Sequence, residues 1–320
     1  YMAIRRPHKP PTVGTEVFDP VTYTGGTANV KISTSPSYTD LVLIKGKSQA
    51  ANLPMAFDRV RGEVKTLNLS SAAEYTYVAQ AGLDLDVNNG FTLNTNWYGV
   101  INGSSQSYIS WNFKRAPGFF DIVAYTANYT NTPQTFSHNL GAVPELIFFK
   151  TRDSVNYWYV YAAPLGNTKT ITLDHPYAAS TSTTWLDSTT PTSSVFTLKS
   201  TEANWGTKPH VAYLFASLPG ISKVGSYTGT GNAINVDCGF SAGARFILIK
   251  RTDATGDWYT WNSSTGIVSG NDPYLLLNST AAEVTNTDYI DPLTSGFTVT
   301  SSAPAALNTS GGAYIFLAIA

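Results

Sequence analysis

The chain has 320 residues, more than one ordinary domain of about 100–200 residues accommodates, so its length implies two or three units. Only 13% of its residues are charged, against about 25% in an average globular chain, and Ser, Thr and Asn, which favour strands and turns, fill the gap. The net charge of −1, with no Lys/Arg block longer than two residues, speaks against duplex-DNA binding; the single Cys238 excludes an intrachain disulfide and Cys-pair zinc motifs; no apolar run approaches the roughly 18 residues of a membrane span.

In chain order, the first stretch, Tyr1-Met2-Ala3-Ile4-Arg5-Arg6-Pro7, has no secretory apolar region and looks like Tyr108 to Pro117 (YISWNFKRAP) entered partway. Residues 1–16 are therefore expected to be the closing strand and linker of an upstream unit, with more protein preceding Tyr1. A threefold repeat follows. Tyr23-Thr24, Tyr125-Thr126 and Tyr227-Thr228 recur at a spacing of 102 residues. Next comes an apolar strand ending in lysine: Leu41 to Lys45 (LVLIK), Leu146 to Lys150 (LIFFK) and Phe246 to Lys250 (FILIK). Leu67-Asn68 with Ala72-Ala73, Leu173-Asp174 with Ala178-Ala179, and Leu277-Asn278 with Ala281-Ala282 come next. Acidic turns at Asp86, Asp187 and Asp291 precede strands opening Phe91-Thr92, Phe196-Thr197 and Phe297-Thr298. The closing strands are Tyr108 to Phe113, His210 to Phe215 and Tyr314 to Ile319, with Pro117-Gly118 and Pro219-Gly220 at the joins, and Ala320 is expected to be the true terminus.

Short runs bounded by Gly, Pro, Asn or Asp, without any sustained helical period, read as strands. The expected fold is all-β: three tandem homologous antiparallel β-sandwich (jelly-roll-like) domains at 17–117, 118–219 and 220–320. The short linkers suggest that the units pack end to end as a stiff rod.

Candidate sites are few. The histidines His8, His138, His175 and His210 lack metal-site spacing, and His210, which replaces Tyr108 and Tyr314 in the repeat, reads as a packed strand residue. No nucleophile elbow or phosphate loop is present, and Gly229-Thr230-Gly231 reads as a hairpin turn. Asp84 to Gly90 matches a calcium loop poorly, since its glycine is one place late and Thr95 stands where a glutamate is needed. Asp86, Asp187 and Asp291 are instead expected to cap turns. Sequons such as Asn278-Ser279-Thr280 carry no weight in a chain this rich in Asn, Ser and Thr. Catalytic, cofactor and metal residues are thus expected to be absent.

Trp158-Tyr159-Val160-Tyr161 and Trp258-Tyr259-Thr260-Trp261 put rings on both faces of a strand, so one face must meet a core and the other a neighbouring loop or a second subunit. Trp97, Tyr98 and Trp205 fall in polar hairpins; exposed rings stack on sugar faces, making these three the candidates for glycan or partner contact.

The stretch Tyr1 to Arg6 with Pro10-Pro11-Thr12, the entry Phe18-Asp19-Pro20-Val21-Thr22-Tyr23-Thr24-Gly25, the segment Phe57-Asp58-Arg59-Val60-Arg61-Gly62, and Gly225-Ser226-Tyr227-Thr228-Gly229 resemble tailed-bacteriophage virion proteins. These are repeat-bearing structural or tail-fibre-like proteins. The resemblance covers essentially the whole chain and brings no catalytic residues. It implies a non-enzymatic virion component at the virion surface or tail, with other virion proteins as partners. A homo-oligomer, most readily a trimer, and a role in host-surface attachment or as architecture are also implied, while contact with a host surface glycan is the expectation drawn from Trp97, Tyr98 and Trp205. A capsid decoration or head-fibre protein and a polysaccharide-cleaving tailspike are the competing readings.

Overall fold

The apolar runs that end in lysine become strands buried on both faces, as near-continuous apolar strands must be. The computed structural model describes residues 9–26, 28–48, 52–62, 65–70, 74–76, 82–94, 101–127, 132–183, 185–186, 188–199 and 207–320. Among these the fold is all-β; the helices are Ala305–Asn308 and the 3-10 turns Gly14–Glu16 and Ala163–Leu165. Residues 1–8 and Asp187 lie outside the described residues.

Each third of the chain supplies one large antiparallel sheet. The first runs in the order Phe18–Thr24, Ser107–Phe113, Leu41–Gly46, Met55–Asp58, Lys65–Asn68, Glu74–Thr76. The second runs Phe120–Thr126, Pro209–Phe215, Leu146–Thr151, Tyr159–Ala162, Lys169–Thr172, Ser180–Thr181, and the third Ser222–Thr228, Ala313–Ile319, Phe246–Arg251, Trp258–Asn262, Leu275–Leu276. A small sheet covers one face of each: Val30–Ser33 with Gly90–Leu93 and Leu83–Asp84, then Gln134–Ser137 with Val195–Leu198, then Ile234–Asp237 with Gly296–Val299 and Ile290–Leu293. The tyrosine of the repeated Tyr-Thr pair stands opposite an aromatic of the closing strand, and the rings stack: Tyr23 on Tyr108 (5.2 Å), Tyr125 on His210 (5.1 Å), Tyr227 on Tyr314 (4.8 Å).

The other face of every large sheet enters one shared core. Among the described residues, Trp111, Phe113 and Leu43 from the first unit, Phe120, Phe148, Trp158 and Tyr213 from the second, and Phe246, Leu248, Trp258 and Leu317 from the third belong to a single buried cluster, beside three smaller clusters inside the sandwiches. The expected end-to-end rod is therefore corrected: the units lie side by side around common apolar contacts. A short linker limits distance but not direction. At both joins a glycine with positive φ, Gly118 (77°) and Gly220 (74°), reverses the chain, and the antiparallel bridges Ala116 to Phe120 and Leu218 to Ser222 set the next unit beside the last.

Polar seams close the ring. Trp158 Nε1 donates to Asn68 O and Trp258 Nε1 to Thr172 O, each at 2.8 Å, joining second to first and third to second units. Lys250 Nζ donates to Pro176 O (3.2 Å) and Tyr177 O (2.9 Å) across the latter seam. Between first and third, Lys45 Nζ donates to Ser279 O, Glu283 N donates to Lys47 O (2.9 Å), and Arg245 reaches Asp19 (2.7 Å). Both rings of the two-faced aromatic strands are thereby explained: Tyr161 and Trp261 fill their own sandwiches, while Trp158 and Trp258 fill the shared core.

Candidate functional site

The acids available for chemistry are mostly engaged in structure. Asp40 and Asp121 flank Arg115, each at 3.6 Å, and also accept the backbone N–H groups of Arg115 and Asn139. Asp58 pairs with fully buried Arg61 and accepts the Tyr213 hydroxyl at 2.6 Å, tying the first unit to the second. In the calcium-like loop Asp84 caps the turn by accepting Asp86 N (2.7 Å), while Asp86 pairs with Arg59. Asp291 departs from the turn-capping expectation, since it lies within strand Ile290–Leu293 opposite Thr298. Two open clefts of about 520 and 500 Å³ are lined at Glu145, Tyr161 and Asn167, and at Lys223, Tyr227 and Asp237. Neither wall carries two carboxylates among the described residues.

Trp97, Tyr98 and Trp205 lie outside the described residues. His8 does too, while the other histidines have distinct places. His210 is fully buried between the Tyr125 ring, Thr151 Oγ1 (3.0 Å) and Lys208 O (2.9 Å), and burial pushes its imidazole down to about 4. His138 is buried against Thr192 O (3.1 Å) and is likewise lowered by burial. Cys238 is buried, and its thiol is pushed up to about 12, which leaves it unreactive at neutral pH.

His175 is different, for it belongs to an exposed aromatic cluster that sequence reading passed over. Its ring stacks on Tyr177 (4.9 Å, 18° between planes) and meets Tyr157 at a right angle (4.8 Å, 90°). Tyr157 is 43% and Tyr177 54% exposed. Beneath them, the fully buried Asp174 side chain accepts Trp158 N (3.2 Å) and stands 3.3 Å from His175 Nδ1; burial raises its carboxyl. The segment that carries His175 and Tyr177 is pinned to the third unit by Lys250 and by two backbone bonds, Gly256 N to Pro176 O (2.9 Å) and Ala179 N to Thr252 O (2.8 Å).

The repeat gives this cluster its meaning. Leu69, Leu173 and Leu277 each donate N–H to the residue preceding the neighbouring strand's first hydrophobic pair, at Pro54, Trp158 and Trp258, which fixes their equivalence. In that register His175 and Tyr177 correspond to Ser279 and Ala281, and Tyr157 to Asp257. The sequence reading matches Leu173 with Leu277 in this same register and only Leu67, in place of Leu69, two residues off.

Residues 13–320 match a family described as a Domain of unknown function (DUF7483). The chain belongs to that family. No curated protein matches the sequence.

Proposed function

We propose that this member of the family is a non-enzymatic bacteriophage virion protein, a fibre or appendage component that serves as a structural element and in host-surface attachment. The observation that carries the reading is a rigid scaffold presenting an exposed aromatic cluster: three sheets locked around one core hold Tyr157, His175 and Tyr177 at a pinned seam. Loops positioned by a rigid scaffold are where binding residues concentrate. The tailed-phage resemblance of Phe18 to Gly25 and Phe57 to Gly62 supplies the setting. The two-faced aromatic strands are satisfied inside the chain, so homo-oligomerisation is retained in this proposal through the fibre-like resemblance alone.

Immunogold labelling of intact virions with antibody against this chain tests the proposal. Label on a tail or appendage supports it; label spread over the capsid favours the decoration reading. Absence from virions, or release of reducing ends from host polysaccharide that an Asp or Glu substitution abolishes, overturns it.

A further inference from the structure

The aromatic cluster of the second unit lies where the scaffold does not require rings. The corresponding segment of the third unit carries Asp257, Ser279 and Ala281 at the same positions and still forms its seam, with Ser279 O accepting Lys45 and Glu283 N donating to Lys47 O. Exposed tyrosine therefore serves something other than folding here. We propose that Tyr157, His175 and Tyr177 form a binding platform for a neutral saccharide. The inference deepens the attachment reading above and rests on it.

Three observations select this ligand class. The first is geometry: the stacked His175 and Tyr177 rings with Tyr157 perpendicular to His175 make a corner of π faces. The C–H face of a pyranose packs on such a ring while its hydroxyls stay wet, and tyrosine with its polar tip suits a surface wet at one end. The second is size. Two rings about half exposed, with part of His175, offer on the order of 250 Å², well short of the ~800 Å² per partner of a stable protein interface. One or two sugar units match that footprint.

The third is charge. An anionic sugar needs a cation at the rings, and the two lysines bonded to the cluster's own backbone are buried and turned inward: Lys150 Nζ donates to Asn156 O (2.5 Å) and Lys250 Nζ to the Pro176, Tyr177 and Gly256 carbonyls. The nearest buried charge, Asp174, is negative or neutral, which disfavours anions further. The pinned backbone holds the corner in place before binding, which lowers the ordering cost of a weak ligand.

Saturation-transfer NMR on the full chain with maltotriose, cellotriose and chitotriose, and N-acetylneuraminic acid as the anionic control, tests the platform. At least one trisaccharide should bind with a Kd near or below about 1 mM, in preference to the anionic control. Tyr157→Ala and Tyr177→Ala should each weaken that binding about 10-fold, while Tyr177→Phe, which keeps the ring, should stay within about 3-fold of the parent. Amide spectra of the variants that overlay on the parent's show that any loss belongs to the site. No binding of any trisaccharide at 20-fold higher concentration, or equal binding by both alanine variants, overturns the inference. Virion labelling without saccharide binding sinks the platform alone; saccharide binding by a chain absent from virions sinks the virion reading alone.

Discussion

Replacing Trp258 by alanine removes a fully buried indole that belongs to the shared core, packs edge-on to Phe148 of the second unit (6.1 Å), and donates to Thr172 O at 2.8 Å. Large aromatic truncations in cores cost about 3–5 kcal/mol, and stranding a buried carbonyl adds about 1–3 kcal/mol. A loss of about 5 kcal/mol is expected. Trp258→Phe keeps most of the apolar surface and strands only the carbonyl, so it should cost about 1–3 kcal/mol. Because the indole sits among residues of all three units, the whole chain should respond together. For large cooperative units about 2 °C is lost per kcal/mol, which puts the alanine variant about 10 °C below the parent in a single calorimetric transition. An endotherm in which a third of the amplitude moves and the rest stays at the parent's temperature would refute the reasoning, because it would mean that each unit melts on its own core.

Three further outcomes follow from buried polar groups. Burial lowers the Lys45 and Lys250 amines from 10.5 to about 8, so the unfolded chain binds more protons between these values and stability should rise with pH across that window; Tyr23, Tyr125, Tyr213 and Tyr227, all raised well above 10.0 by burial, should reverse the trend above pH 10, as urea midpoints measured from pH 7 to 11 will show. His210, lowered from 6.5 to about 4, contributes stability that is lost as pH falls through that interval; His210→Tyr, the residue found at the matching positions 108 and 314, should flatten the urea-midpoint profile there. Asp58→Asn leaves buried Arg61 without its counter-charge and should cost about 3–5 kcal/mol in urea unfolding, whereas Tyr213→Phe should cost about 1–2 kcal/mol.

The all-β class was legible because strand signals are local: Leu41 to Lys45 and its two counterparts are short, apolar and bounded by turn residues. The arrangement of the units was not, although its signal was present. Ahead of their lysine those same runs are apolar at every position, which a sheet buried on both faces demands, whereas a free-standing sandwich would alternate. Of the lysines that end these runs, Lys45 and Lys250 are fully buried in the fold and reach carbonyls of another unit. Nothing in a linear sequence names such a partner. Gly118 and Gly220 were read as punctuation, yet it is their positive φ that turns a row into a ring. The aromatic cluster escaped for a different reason: Tyr157 and His175 are 18 residues apart and join only through the pairing of Tyr159–Ala162 with Lys169–Thr172.

The central claim is that one chain closes its own ring, and the seam between first and third units tests it most directly. Lys47 Nζ lies 3.4 Å from Glu283 Oε2, with both side chains partly accessible. Zero-length carbodiimide coupling of dilute protein, followed by size separation and peptide mass spectrometry, should yield a Lys47 to Glu283 amide within the monomer-mass band. Its absence there, or its appearance only in covalently linked pairs of chains, would contradict the closed ring.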